Sequence, residues 1–334
     1  MQNEIKTEID VLDASGIVKN PGWSRHAVFS FDKSLCKSRF RLTEHDSYII
    51  TNEQVVVYLS VSELGAVAQV SAMIIDLSTG EIDHRTLNNY MSFGKLNMPI
   101  SSKNGDTTYT DVRVGMNFSN TAINRYIRCD FVDFSKDKNL YINLELQESI
   151  SESFNVLVSE KEGEKGFMLS RFLPGLKVTG VVRMGGAQYD FTEENSHAYL
   201  LWQRSYLKGK AYYHGLYCDC ALNDRQFSLC LAGGVGDVSR STENCYFYDG
   251  TVYTLARIRA EGNEEKPHKQ WVFSAGNGSL GFKFIPTIKG GHLLHGKCGK
   301  RTLVFGKLYG TIEHINGEKI VLDAVPAHME FTML

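Results

Sequence analysis

The chain has 334 residues, with 36 Lys+Arg against 38 Asp+Glu, a net charge of -2, 43% hydrophobic and 22% charged residues. This balance excludes a disordered chain, and it supplies no basic excess for nucleic acid or an anionic membrane surface. The length predicts two domains of about 150 residues each.

Along the chain, Met1-Gln2-Asn3-Glu4-Ile5-Lys6 has no apolar run behind a positive cluster, so no signal peptide is expected. Extended runs follow at Val55 to Val61, Val67 to Leu77, Leu140 to Leu146, Val178 to Met184 and Leu303 to Ile312. The most apolar stretch, Leu59 to Leu77, is broken by Glu63 and Gln69 and does not read as a membrane span. Thr79-Gly80 and Asn104-Gly105 give weak turns. Asp249-Gly250, Asn277-Gly278 and Asn316-Gly317 give strong two-residue hairpin signals, because type I′ turns need positive φ. No segment holds a 3.6-residue apolar stripe over three turns. Short strands at regular spacing with few helices predict an all-β sandwich or barrel.

The charged stretch Ser159 to Gly166 is too polar to bury, and a boundary there divides the chain into 1–162 and 163–334. Glu261 to Lys269 is expected to be a long loop, and no shared sequence period is visible. Seven cysteines without framework spacing suit a reducing cytoplasm.

Hairpin register assigns faces. Around Asp249-Gly250, Phe247 opposes Val252, Cys245 opposes Thr254 and Glu243 opposes Ala256. Asn244, Tyr246, Tyr248, Tyr253 and Leu255 share the other face. Around Asn277-Gly278, Trp271, Phe273, Ala275, Leu280, Phe282 and Phe284 share one face, as a core or as the wall of a lipophilic pocket. Glu243, a carboxylate on an apolar face, must be paired or have its pKa raised by desolvation. It could serve structure, anchor a cation or donate a proton.

Cys218 and Cys220 share a face. Cys230 falls on the opposite side if Asn223-Asp224 is a two-residue turn, and on the same side if the loop has three residues. No matching Cys or His pair at zinc spacing follows, so no metal is expected. Ten histidines form no HExxH; His214 lies among tyrosines, and His292 and His295 read as loop. Gly185-Gly186, Gly233-Gly234-Val235-Gly236 and Gly290-Gly291 lack the context of a phosphate loop and read as points of bending or close backbone approach. There is no GxSxG. Tyr206 to Tyr213 mixes cations with aromatics, but without a second patch no nucleic acid is expected.

At Ser241-Thr242-Glu243-Asn244-Cys245-Tyr246-Phe247-Tyr248-Asp249-Gly250 the chain resembles the bacterial domain-of-unknown-function family 2804. That family is similar to the lipocalin-like (calycin) carotenoid hydratase and tocopherol cyclase group. Further matches lie at Leu12-Asp13-Ala14-Ser15-Gly16, Pro21-Gly22-Trp23, Pro99 to Asp106, Gly236-Asp237-Val238-Ser239, Trp271 and Val304-Phe305-Gly306. The resemblance implies two packed lipocalin-like β-barrel domains, a pocket for a lipophilic small molecule and acid chemistry without a cofactor. The family's Asp-Trp-x-Arg-Gly run reads here Leu201-Trp202-Gln203-Arg204-Ser205. Its Trp-rich strand becomes Tyr212 to Tyr217, and its Tyr-Asn-x-Lys-like stretch becomes Met168-Leu169-Ser170-Arg171-Phe172. Loss of the acid at Leu201 weakens the case for catalysis.

The expected function is therefore binding of a hydrophobic or amphiphilic small molecule, mainly in the second half. Trp202, Tyr213, Trp271 and Phe282 would form the wall, Asn244 would join the site, and Arg204 paired with Glu243 would be its polar feature. The rival reading is a hydratase, cyclase or isomerase with Asp237 or Glu243 as acid and His214 or a tyrosine assisting. A third is a scaffold protein whose pocket is vestigial.

Overall fold

The computed structural model describes residues 2–121, 123–161, 163–209, 211–288, 292–295 and 300–333. Over these residues the chain is all-β, with one 3-10 turn at Lys33–Leu35. Short β1 (Ile9–Asp10), β2 (Gly22–Ser24) and β3 (Phe29–Ser30) precede the first meander. That meander is β4 (Leu42–Asn52), β5 (Val55–Leu64), β6 (Val67–Asp76) and β7 (Ile82–Tyr90). Next come β8 (Gly105–Thr110), β9 (Val114–Asn120), β10 (Asn124–Ser135), β11 (Lys138–Glu148), β12 (Phe154–Ser159), β13 (Phe167–Met184), β14 (Ala187–Phe191) and β15 (Ser196–Tyr206).

A second meander follows as β16 (Tyr212–Leu222), β17 (Arg225–Gly233), β18 (Glu243–Tyr248) and β19 (Thr251–Thr254). The chain ends with β20 (Ile258–Glu261), β21 (Trp271–Ala275), β22 (Leu280–Pro286), β23 (His292–His295), β24 (Lys300–Glu313) and β25 (Lys319–Met333).

Apart from the short parallel pair of β1 and β3, these strands form two curled antiparallel sheets with one topology. The first runs β7-β6-β5-β4-β15-β13-β11-β10-β9-β8, and the second β19-β18-β17-β16-β25-β24-β22-β21-β20. Each is an up-and-down barrel with a single break, between β7 and β8 in one and between β19 and β20 in the other. The architecture is two packed lipocalin-like half-barrels, as expected. The sheets change between Tyr206 and Tyr212, so β13 and β15 belong to the first sheet although they lie beyond residue 163. Residue 162 itself is outside the described residues. The polar stretch there simply joins β12 to β13, whose strands pair through Ser159 and Phe167.

Strand alternation positions the cores. β10 and β11 alternate buried and exposed residues, so their outer faces meet solvent. β4, β5, β15 and the first half of β13 are buried on both faces. On β13 and β15, Leu169, Arg171, Trp202 and Arg204 point into the first barrel. Met168, Ser170, Phe172, Tyr199, Leu201 and Gln203 alternate with them toward the second sheet. Polar contacts also cross that interface, among them three made by side chains of its buried centre. The Ser170 hydroxyl donates to Glu243 at 2.7 Å, the Tyr199 hydroxyl meets His328 Nδ1 at 2.6 Å, and Arg301 donates to the Tyr58 hydroxyl at 3.0 Å.

Turn chemistry agrees in part. Asp249-Gly250 has both residues at positive φ and joins Tyr248 to Thr251 directly. At Asn277-Gly278 and Asn316-Gly317 only the glycine is left-handed, and the second pair lies in a longer connection from Glu313 to Lys319. Asn223-Asp224 is a two-residue turn, so Cys230 faces the first sheet while Cys218 and Cys220 face the second barrel's core. His292–His295 is a strand rather than a loop. Gly290-Gly291 and Lys210 lie outside the described residues. No helix among the described residues is long and apolar enough to cross a membrane.

Candidate functional site

A cleft of about 740 Å³ opens at the break in the second barrel. That volume falls within the roughly 300–1,000 Å³ of small-molecule sites. It draws on both sides of the break: Leu231 and Asn244 from β17 and β18, and Ile258, Trp271 and Phe273 from β20 and β21. Leu231, Trp271 and Phe273 are buried and give an apolar floor. The polar groups are His214, Thr242, Asn244, Arg257, Arg259 and Glu264.

The break stays open because β19 stops at Thr254, where the ladder ends opposite Cys245. The predicted pair of Glu243 with Ala256 is absent from that ladder. Asn244 holds the chain there instead: its carbonyl accepts from Leu255 N at 2.8 Å, and its side chain donates to Ala256 O at 3.4 Å. The side-chain oxygen of Asn244 also accepts from Ala232 N at 3.1 Å. Burial lowers the pKa of His214, and Glu264 opposes that shift more weakly. Its imidazole is therefore the neutral, hydrogen-bonding form at neutral pH.

The glycine run beside the cleft carries out the close approach expected of it. A Cβ on Gly234, at φ +104, would come within 2.0 Å of Tyr212 O, and one on Gly236, at φ +73, within 2.4 Å of Ser159 O.

Of the residues singled out from sequence, His214, Asn244 and Trp271 line this cleft. Phe282 packs in the second barrel's core. Tyr213 faces the interface, where its hydroxyl and that of Tyr217 lie 2.8 Å apart. Trp202 and Arg204 point into the first barrel. The expected Arg204–Glu243 pair does not form. Arg204 binds Asp46 at 2.7 Å and Glu44 at 3.4 Å, and its guanidinium sits 4.2 Å over the Trp202 ring. Burial raises the pKa of Glu44, against Arg204 and Lys33.

Glu243 instead lies between the sheets, where burial pushes its carboxyl up to about 7 against hydrogen bonds from Ser170 and Tyr213. A void of about 10 Å³ adjoins it, lined also by Phe172, Leu201 and Tyr217, with room for at most one water. Asp237 sits in a loop outside the cleft, where Ser239 hydrogen bonds hold its carboxyl below the usual range. Among the described residues, no group of three His, Cys, Asp or Glu is placed to hold a metal.

Arg257 and Glu264, which the sequence reading passed over, complete the rim. Arg257 is signalled only by its position beside the hairpin, two residues beyond Leu255.

The sequence matches the family Domain of unknown function (DUF2804) over residues 2–333. This chain belongs to that family. No curated protein matches it. Among solved structures it is similar to kievitone hydratase from Nectria haematococca, at 12% identity and TM-score 0.54, covering 99% of this chain and 96% of that one. It is similar also to an AttH protein from Nitrosomonas europaea, at 11% identity and TM-score 0.53, covering 87% and 92%. At those identities the likeness is one of fold.

Proposed function

We propose that this member of the family binds an amphiphilic small molecule in the cleft of the second barrel. The carrying observation is the cleft itself, with an apolar floor of Leu231, Trp271 and Phe273 under a few convergent polar groups. The apolar part of the ligand rests on Trp271 and Phe273, and its polar end meets Arg257 and His214. The six cysteines among the described residues are buried and form no disulfide, which supports a reducing, cytoplasmic setting.

Acid catalysis in the manner of a hydratase has one observation in its favour, a carboxyl near neutrality at Glu243. That group points away from the cleft and has no space for a substrate beside it, so binding is the better supported reading.

The test is native mass spectrometry of the purified chain, before and after incubation with a lipid and isoprenoid extract, with organic extraction of any released compound. A discrete non-covalent mass is expected, and it should disappear when the cleft is obstructed by Gly233→Phe. An apo mass under both conditions would overturn the reading.

A further inference from the structure

The first barrel closes its break differently, and the closure leaves a second, smaller feature. Between β7 and β8 the segment 91–104 folds over cations that point into the barrel. Lys33 donates to Met98 O at 2.7 Å, Arg204 to Pro99 O at 2.8 Å, and Arg125 to Ser102 O at 3.0 Å. Arg171 also reaches Ser102, at 3.3 Å to its carbonyl and 3.1 Å to its hydroxyl.

Four arginines are buried among the described residues: Arg125, Arg171, Arg204 and Arg301. Three have a carboxylate: Glu148 for Arg125, Asp46 and Glu44 for Arg204, and Glu330 for Arg301. Among the described residues Arg171 has none within ion-pair distance, and there its only hydrogen-bond partners are the two Ser102 oxygens. Its Nε is buried without a partner, and so is the indole Nε1 of Trp202, its register neighbour on β15. Both residues line one cavity of about 20 Å³, walled also by Phe29, Ile100, Leu169 and Asn155.

Two orphaned N–H donors and an uncompensated guanidinium around one void specify an acceptor that carries negative charge. Leaving a buried donor unmet is costly, and more so when it is charged. A water could accept both hydrogen bonds, but it would leave the guanidinium without a counter-charge. The nearest charges deepen the need. Burial first, and then Arg125 as a second cation, lower the Arg171 pKa to about 10, against a weaker opposing effect of Glu148. Arg171 remains protonated at neutral pH. The cavity exceeds the roughly 10–15 Å³ that one water requires and is too small for a sulfate or an organic acid.

We infer that this cavity binds a single small monovalent anion of the halide class, held between the Arg171 guanidinium and the Trp202 indole N–H. The anion supplies the missing counter-charge and ties β13 and β15 to the Ser102 end of the segment that closes the barrel.

Crystals of the full chain grown in sodium bromide, measured at the bromine absorption edge, test the site directly. One anomalous peak in contact with Arg171 and Trp202 is expected. Density for a water without bromine signal would overturn the inference. In solution, replacing gluconate by bromide at constant ionic strength should raise the Tm along a saturating curve, by about 3–5 °C at about a hundred times Kd. Arg171→Met should abolish that dependence. The wild-type comparison stands even if this variant does not fold, since a Tm indifferent to bromide would also overturn the site.

Discussion

The two breaks in this molecule start from the same topology and end differently. In the first barrel, segment 91–104 spans β7 to β8, and Lys33, Arg125, Arg171 and Arg204 hold its carbonyls. What remains beside Arg171 and Trp202 is a void of about 20 Å³. In the second barrel only residues 255–257 separate β19 from β20, held by Asn244, and a cleft of about 740 Å³ remains. The strands are not what separates a closed barrel from an open one here. The length of the connection across the break, and the presence of charged side chains to grip it, decide which barrel can receive a molecule.

The largest test of this contrast is Arg204→Met. It leaves Glu44 and Asp46 buried without their main cation and releases Pro99 O, so a loss of about 3–5 kcal/mol is expected in urea denaturation. A loss under about 1 kcal/mol would show that the grip is not what holds the first break shut.

Glu243→Gln should act in the opposite direction. Its folded pKa of about 7 lies above the ordinary 4.5, so between those values the native state binds more protons than the unfolded one. Stability from this group is therefore greatest at acid pH, falls as pH rises through the window and is flat above it. Glutamine removes that penalty, so the variant should be more stable by about 3 kcal/mol above neutrality and lose the slope. Urea midpoints across the window report both effects, and equal slopes in the two proteins would refute the assignment.

Gly233→Phe separates space from stability. A Cβ there meets nothing within 4 Å, so the ring can project into the cleft and obstruct it at a cost of about 1 kcal/mol or less, while ligand binding is lost. Binding that survives would place the ligand elsewhere. Smallest is Arg257→Ala at the exposed rim. Stability should stay within about 0.5 kcal/mol, and a titration should show affinity about tenfold weaker for an anionic amphiphile than in the wild type.

The sequence shows clearly what depends on neighbours in the chain. Alternation and the Asp249-Gly250 turn place Phe247 and Val252 together, and the faces of β21 and β22 follow from the same arithmetic, with Trp271 and Phe273 on one side. Pairing between distant strands is another matter. β15 lies beside β4, which draws Arg204 to Asp46 and away from Glu243. The polar residues after Ser159 mark a surface connection whether or not the sheet changes there, so they misplace the division. The cleft has no residue signal of its own, because it arises where a hydrogen-bonded ladder is missing. Arg171 stood out only as a departure from a family pattern; its lack of a carboxylate depends on strands far apart in the chain.

The wall of β13 and β15 also bears on whether the halves are separable. Its outward residues Met168, Phe172, Tyr199 and Leu201 belong to the interface core with Tyr217, Phe247 and Phe305. Cutting the chain after Tyr206 would bare that face as a sticky apolar surface, while cutting at residue 163 would take two staves out of the first barrel. Neither half is a portable module. A fragment carrying one barrel without the other would expose that apolar face and be prone to aggregate.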